Sequence, residues 1–194
     1  MKIGIITGSI RENRVNLDVA EWVKKLAINR QDNDDVEYEI IDIKQFDLPV
    51  FAEPTSPAYT DELIEKEKQL PWSQKMTDQD GYIFIAPEYN HGIPSALKNA
   101  LDFLYHELND KAAGIVSYGS SGGVRSAEQL RSVLSEFQVA HVRTNPALSI
   151  FYDFDYPNLN PSSAQKEAVE TMIDQLIPWT EAMIEVRNKK SANS

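Results

Sequence analysis

KIGIITGSIRENRVN, residues 2–16, carries the pattern on which the fold turns. A continuous apolar run, Lys2–Thr7, ends in Gly8. Hydroxyl, guanidinium and amide side chains follow, and then an apolar face at helical spacing: Val15, Val19, Trp22, Val23 and Leu26. A strand buried on both faces reads as continuous apolar character, whereas a strand with one wet face alternates. Strand, glycine turn and amphipathic helix in that order form the opening unit of a parallel sheet.

The unit recurs along the chain. Apolar runs at Val36–Ile43, Tyr82–Ala86, Ala112–Tyr118 and, more weakly, Val142–Ile150 predict four further strands. Helical spacing recurs at Leu97, Leu101 and Leu104, and again at Ala127, Leu130, Leu134 and Phe137. Ser95 is placed to cap the first of these helices. A last helix is expected from Pro161, with Ser162 and Ser163 as capping residues, Val169, Met172, Ile173, Leu176 and Met183 on its apolar face, and a kink at Pro178. Residues 51–80 are less regular. Pro54, Pro57 and Pro71 interrupt them, and Asp61–Gln69 reads as a charged, solvated helix. Five strands alternating with helices predict an α/β fold with a doubly wound parallel sheet. One domain over residues 1–187 and a frayed polar tail over 188–194 are expected.

Composition narrows the function. With no cysteine among 194 residues, disulfides, thiolate metal sites and cysteine nucleophiles are excluded. Three histidines, His91, His106 and His141, show no metal-ligand spacing, so no metal site is expected. A formal net charge of -11 repels phosphate backbones and argues against nucleic-acid binding. The start does not read as a leader peptide, and no apolar run nears the roughly 20 residues that span a bilayer. A cytoplasmic protein is the expectation.

Five of the eight glycines, at 8, 92, 119, 122 and 123, follow the first, third and fourth apolar runs. The carboxyl ends of strands in an open parallel sheet form its ligand crevice. In the first loop, Ser9, Arg11, Arg14 and Asn16 surround a helix start, which favours an anion. The plainer alternative is a capped helix with surface arginines. The loop matches neither the P-loop nor the dinucleotide glycine fingerprint. The second loop, Pro87-Glu88-Tyr89-Asn90-His91-Gly92, could border a planar ring or form only a tight turn. The third, Gly119-Ser120-Ser121-Gly122-Gly123, offers many free N–H donors and also matches the nucleophile elbow of hydrolases. That rival fails on order. The one histidine after Ser121, His141, precedes Asp153 and Asp155, and Glu128 and Glu136 come too soon after the elbow. A polar crevice without a nucleophile, base or metal implies a cofactor that brings the chemistry.

Three segments, GSIRENRVN (8–16), PEYNHGIPSALKNALDFL (87–104) and YGSSGGVRSAEQLR (118–131), taken in this order, resemble the NADPH-dependent FMN reductase family. These are flavodoxin-like enzymes that include quinone, azo-dye and chromate reductases. The resemblance covers the chain to about residue 150. It implies a five-stranded parallel sheet in the order 2-1-3-4-5 with FMN across its carboxyl edge. Ser9, Arg11, Arg14 and Asn16 would bind the phosphate. Pro87, Glu88, Tyr89, Asn90 and His91 would border the isoalloxazine ring, and Gly119, Ser120, Gly122 and Gly123 would meet its pyrimidine side. No side chain is assigned as a catalytic acid or base. The implied reaction is ping-pong, with NADPH or NADH as hydride donor and quinones, azo compounds, metal oxyanions or free flavin as acceptors. A homodimer or homotetramer through helices near 95–107 and 125–137 is implied as well. The competing readings are a flavodoxin-like electron carrier and an FMN-dependent regulatory protein.

Overall fold

The computed structural model describes residues 1–30, 35–60 and 62–192. Its main sheet is parallel, with strands β1 (Lys2–Thr7), β2 (Glu37–Asp42), β3 (Gly81–Pro87), β4 (Ala112–Gly119) and β5 (Ala140–His141) in the order β2-β1-β3-β4-β5. This is the α/β class expected from the sequence pattern and the strand order that the family resemblance implies. The first four strands begin and end within one residue of the apolar runs that predict them.

Side chains alternate across the sheet and feed two cores. Ile3, Ile5, Ile83, Ile85 and Val116 face helices α1 (Asn16–Ile28) and α5 (Ser163–Ser191), where they meet Val19, Val23, Met172 and Leu176. Ile6, Tyr82, Phe84 and Ile115 face α2 (Lys66–Thr77), α3 (Ser95–Asp102) and α4 (Val124–Glu136), where they meet Trp72, Leu97, Leu101, Leu130 and Leu134. With both faces covered, the apolar runs are continuous for the reason the sequence suggests.

The fifth strand departs from expectation. Instead of one strand over Val142–Ile150, two short ones pair with β4: β5 at its start and β6 (Ala147–Ser149) at its end. Pro146 has no N–H to give the ladder, and the chain bulges away between the two pieces. The side chain of Asn145 fills the gap, its Nδ2 donating to the carbonyl of Ile115 at 2.9 Å. The backbone resumes the ladder where Ser117 N donates to Pro146 O at 2.9 Å. Beyond β6 a small antiparallel hairpin, β7 (Phe154–Asp155) and β8 (Asn158–Leu159), precedes α5.

Three helices also differ from the sequence reading. The helix expected over Asp61–Gln69 forms at Lys66–Thr77 and contains Pro71, while Asp61 lies outside the described residues. Burial decides its position: Trp72 is fully enclosed and donates its indole N–H to Ala100 O at 2.7 Å. Ser95 does not cap α3 but is its first residue, with Pro94 at the cap position. Helix α5 is capped by Ser162 as expected, holds Pro178 within it and extends to Ser191. The helix thus reaches into the stretch expected as a polar tail. Arg187 donates to Asp110 O at 2.8 Å and Lys190 pairs with Asp110 at 2.6 Å, tying this end of α5 to the amino edge of the sheet.

Because Asn145 supplies a ladder donor, Asn145→Ala strands the Ile115 carbonyl. A loss of about 1–3 kcal/mol in folding stability is expected, read as a lower denaturation midpoint with unchanged slope.

Candidate functional site

Strand β1 lies between β2 and β3, so the strand order reverses beside it. Its chain continues to α1 on one face, while β3 continues to α3 on the other. The loops after β1, β3 and β4 meet around a cleft of about 510 Å³ at the carboxyl edge of the sheet. Arg11 to Val15, Pro87 to Tyr89, Tyr118 to Ser120, Ile150 and Tyr156 line it. Its volume falls within the range of small-molecule sites.

The first loop is pinned from below. Gly8 N donates to Ile85 O at 2.9 Å, and Asn16 receives Ser9 N at 3.2 Å while its Nδ2 donates to Ile85 O at 3.3 Å. Asn16 is wholly buried, so it shapes the loop and presents no surface to a ligand. Ser9 is buried too, with its hydroxyl 2.6 Å from the Tyr89 hydroxyl and accepting from Arg11 N at 3.3 Å. Arg11 leans over the Tyr89 ring, 5.4 Å from its centroid. Helix α1 starts with Val15 at its cap position and no side-chain cap bond, which leaves first-turn N–H groups without a capping side chain.

Arg14 is less exposed than a surface arginine. It pairs with Asp42 at the end of β2, and the two side chains are only 8% and 9% exposed. Asp42 also accepts from Thr7 Oγ1 at 2.8 Å and from Lys44 N at 3.1 Å. The Nε and Nη1 atoms of Arg14 are buried and have no hydrogen-bond partner among the described residues.

The second loop closes in four residues. Tyr89 and Gly92 exchange both backbone hydrogen bonds, at 3.0 and 3.1 Å, and Asn90 and His91 stand between them at φ 49° and 69°. Two successive positive φ angles make this a type I′ turn. Both residues carry a Cβ that disfavours positive φ, and His91 stands where type I′ turns prefer glycine. Both side chains are exposed at the rim. Glu88 turns instead to the third loop, where it accepts from Arg125 N at 3.1 Å and Nη1 at 2.8 Å. Burial alone would raise its pKa. The hydrogen bonds and charge of Arg125 outweigh that, and the carboxyl sits below its ordinary 4.5.

In the third loop, Gly123 stands at the cap of α4 with φ 71°, and a Cβ there would lie 2.6 Å from Tyr118 N. Glycine is required by both conformation and space. Gly122 shares the positive φ, and Ser117 Oγ donates to its carbonyl at 2.7 Å. Gly119 and exposed Ser120 face the cleft. No histidine completes a hydrolase here. His141 lies on β5, paired with the amino end of β4, and its ring nitrogens face Arg131 and Ser135.

The structure thus brings all three predicted loops together, but not every predicted residue faces the cleft. Ser9 and Asn16 are buried, Asn90, His91, Gly122 and Gly123 are not among the residues that line it, and Glu88 lines it while also bracing α4. Sequence reasoning missed Asp42, Tyr118, Ile150 and Tyr156. Tyr118 stood at the head of the third motif, whereas the other three carried no local signal.

The family model described as NADPH-dependent FMN reductase matches residues 1–153. An NAD(P)H-dependent FMN reductase of Schizosaccharomyces pombe is 39% identical over 149 residues, covering 77% of this chain and 73% of the relative. A quinone reductase of Escherichia coli is 31% identical over 141 residues, covering 69% and 70%. Among solved structures, the Paracoccus denitrificans flavoenzyme FerB superposes with a TM-score of 0.70 at 20% identity, covering 94% of this chain and 98% of its own. That last likeness speaks to the fold alone.

Two outcomes follow from the loop geometry. His91→Gly relieves the left-handed strain, and a stability gain of about 1 kcal/mol is expected in chemical denaturation. Glu88→Gln should cost about 1 kcal/mol near neutral pH, since Arg125 is half exposed. The Glu88 pKa is lowered on folding, so its contribution is present above 4.5 and fades as pH falls through the folded value. Wild type and Glu88→Gln should therefore converge in acid, as read from denaturation midpoints across pH 3–7.

Proposed function

The chain belongs to the NADPH-dependent FMN reductase family, and from that premise we propose that the cleft at the carboxyl ends of β1, β3 and β4 holds FMN. The protein is an oxidoreductase. NADPH or NADH would deliver hydride, and a small acceptor would then take the electrons in a second, separate visit. The acceptors proposed are quinones, azo compounds, metal oxyanions or free flavin. With a quinone, NAD(P)H and one proton yield NAD(P)⁺ and the hydroquinone.

One observation carries the reading: a guanidinium pair and a helix start without a side-chain cap lie at one end of a cleft whose other end is glycine backbone. Arg14 supports it most directly. Its buried Nε and Nη1 atoms lack partners among the described residues, and buried polar groups are as a rule hydrogen-bonded. An anion reaching the first loop would supply such bonds, and the phosphate of FMN is an anion of the right kind. The residues present therefore fit the cofactor.

Bound FMN supplies an electron-accepting ring that can take hydride from one partner and release electrons to another. The protein's own residues bind and orient. Arg11 and Arg14 would neutralise the phosphate. Asp42 holds Arg14 in place, so the guanidinium does not reorganise when the anion arrives. Ser9 and Asn16 fix the loop that presents the helix start. Pro87 and Tyr89, with Asn90 and His91 at the rim, would border the ring. Glu88 would act through Arg125, setting α4 so that Gly119, Ser120, Gly122 and Gly123 meet the pyrimidine edge. The reading extends to a homodimer or homotetramer through α3 and α4. Both helices lie on one face of the sheet, and α4 begins with an exposed valine, Val124.

Arg11→Ala should weaken FMN retention by about 1–3 kcal/mol, the worth of a charged hydrogen bond. Fluorescence titration of the apoprotein with FMN checks it. Retention as tight as wild type would overturn the phosphate assignment.

A further inference from the structure

The cleft has a wall that neither the three loops nor the family match accounts for. Tyr156, in the turn between β7 and β8, lines the same cleft as the three loops, yet is 73% exposed. The family model ends at residue 153, before this hairpin begins. Ile150, also on the cleft, and Phe151 and Tyr152, both exposed, continue the same apolar edge.

The hairpin is firmly based. Asp153 is buried and accepts Ser149 N at 2.8 Å and Ser162 N at 3.1 Å, which ties the end of β6 to the cap of α5. Asn160 N donates to Asp153 O at 2.8 Å. Phe154 is buried with its ring 6.0 Å from that of Tyr118. The backbone that carries Tyr156 is fixed by these contacts while its ring is left largely in water, so a partner that covers the ring has only the side chain's own rotation to restrict.

We propose that Tyr156 is a specificity-determining residue that packs against planar, aromatic electron acceptors as they enter the cleft. The inference rests on the FMN reading above and concerns the second substrate only. Tyrosine offers a large flat face at low entropy cost, and stacking is tolerant of ring identity, which suits quinone-type acceptors of varied outline. An acceptor with no ring gains nothing from it.

The test compares two acceptors, 2-methyl-1,4-naphthoquinone and ferricyanide, at saturating NADPH, with rates normalised to bound FMN. In Tyr156→Ala the ratio of kcat/KM for the quinone to that for ferricyanide should fall about tenfold, mainly through KM, while Tyr156→Phe restores it. An unchanged ratio in Tyr156→Ala overturns the inference while leaving the FMN reading intact. So does a change of oligomeric state on gel filtration, which would make the hairpin an interface between copies. A flavin-loaded wild type that reduces neither acceptor would defeat the reductase reading on which this inference rests, and this inference with it.

Discussion

Neighbouring parallel strands β1 and β3 send their chains to opposite faces of the sheet, and the crevice this leaves is the constraint on which the site depends. No backbone can fill the space between two loops that part in this way. A third loop, after β4, closes the far side because Glu88 at the end of β3 caps the helix that follows it. The cleft is thus a product of strand order, and its floor is shared with the packing of the sheet. Gly8 bonds to Ile85 and Asn16 bridges Ser9 to the same carbonyl, so the first loop rests directly on β3.

Electrostatics decide what the crevice suits. The chain carries a net charge of -11, yet two arginines from one loop stand at this edge. An arginine buried with two donors unmatched costs about 1–3 kcal/mol for each unpaired group. The ion pair with Asp42 offsets part of that penalty without satisfying Nε or Nη1. The proposed phosphate would supply acceptors to an arginine that the fold already holds in place. Type I′ backbone at His91 is a local strain beside the same cleft, and strained positions cluster where ligands are held.

Much of this could be read from sequence because the informative signals are local. Each of the first four strands is a continuous apolar run, and the glycines that mark strand ends also mark the site. The fifth strand was not legible as two pieces, since the break depends on Asn145 reaching a carbonyl on β4, thirty positions earlier in the chain. The helix at Lys66–Thr77 hides behind Pro71 because its position is set by burial of Trp72, a tertiary effect. The partners of the site residues are also distant: Arg14 finds Asp42, Glu88 finds Arg125, and Ser9 meets Tyr89. Spacing shows which loops converge, but not which side chains are spent on holding them. Tyr156 had no motif at all, and only the fold of the hairpin brings it to the cleft.

The central claim is that the cleft holds a flavin which accepts hydride directly from a pyridine nucleotide. Anaerobic rapid mixing of the FMN-loaded protein with NADPH, and separately with NADH, tests it most directly. Fast loss of the flavin absorbance with at least one donor, followed by its return when a quinone is added, is the expected result. Bound flavin that stays oxidised in excess of both nucleotides would contradict the claim and leave only an electron carrier's fold.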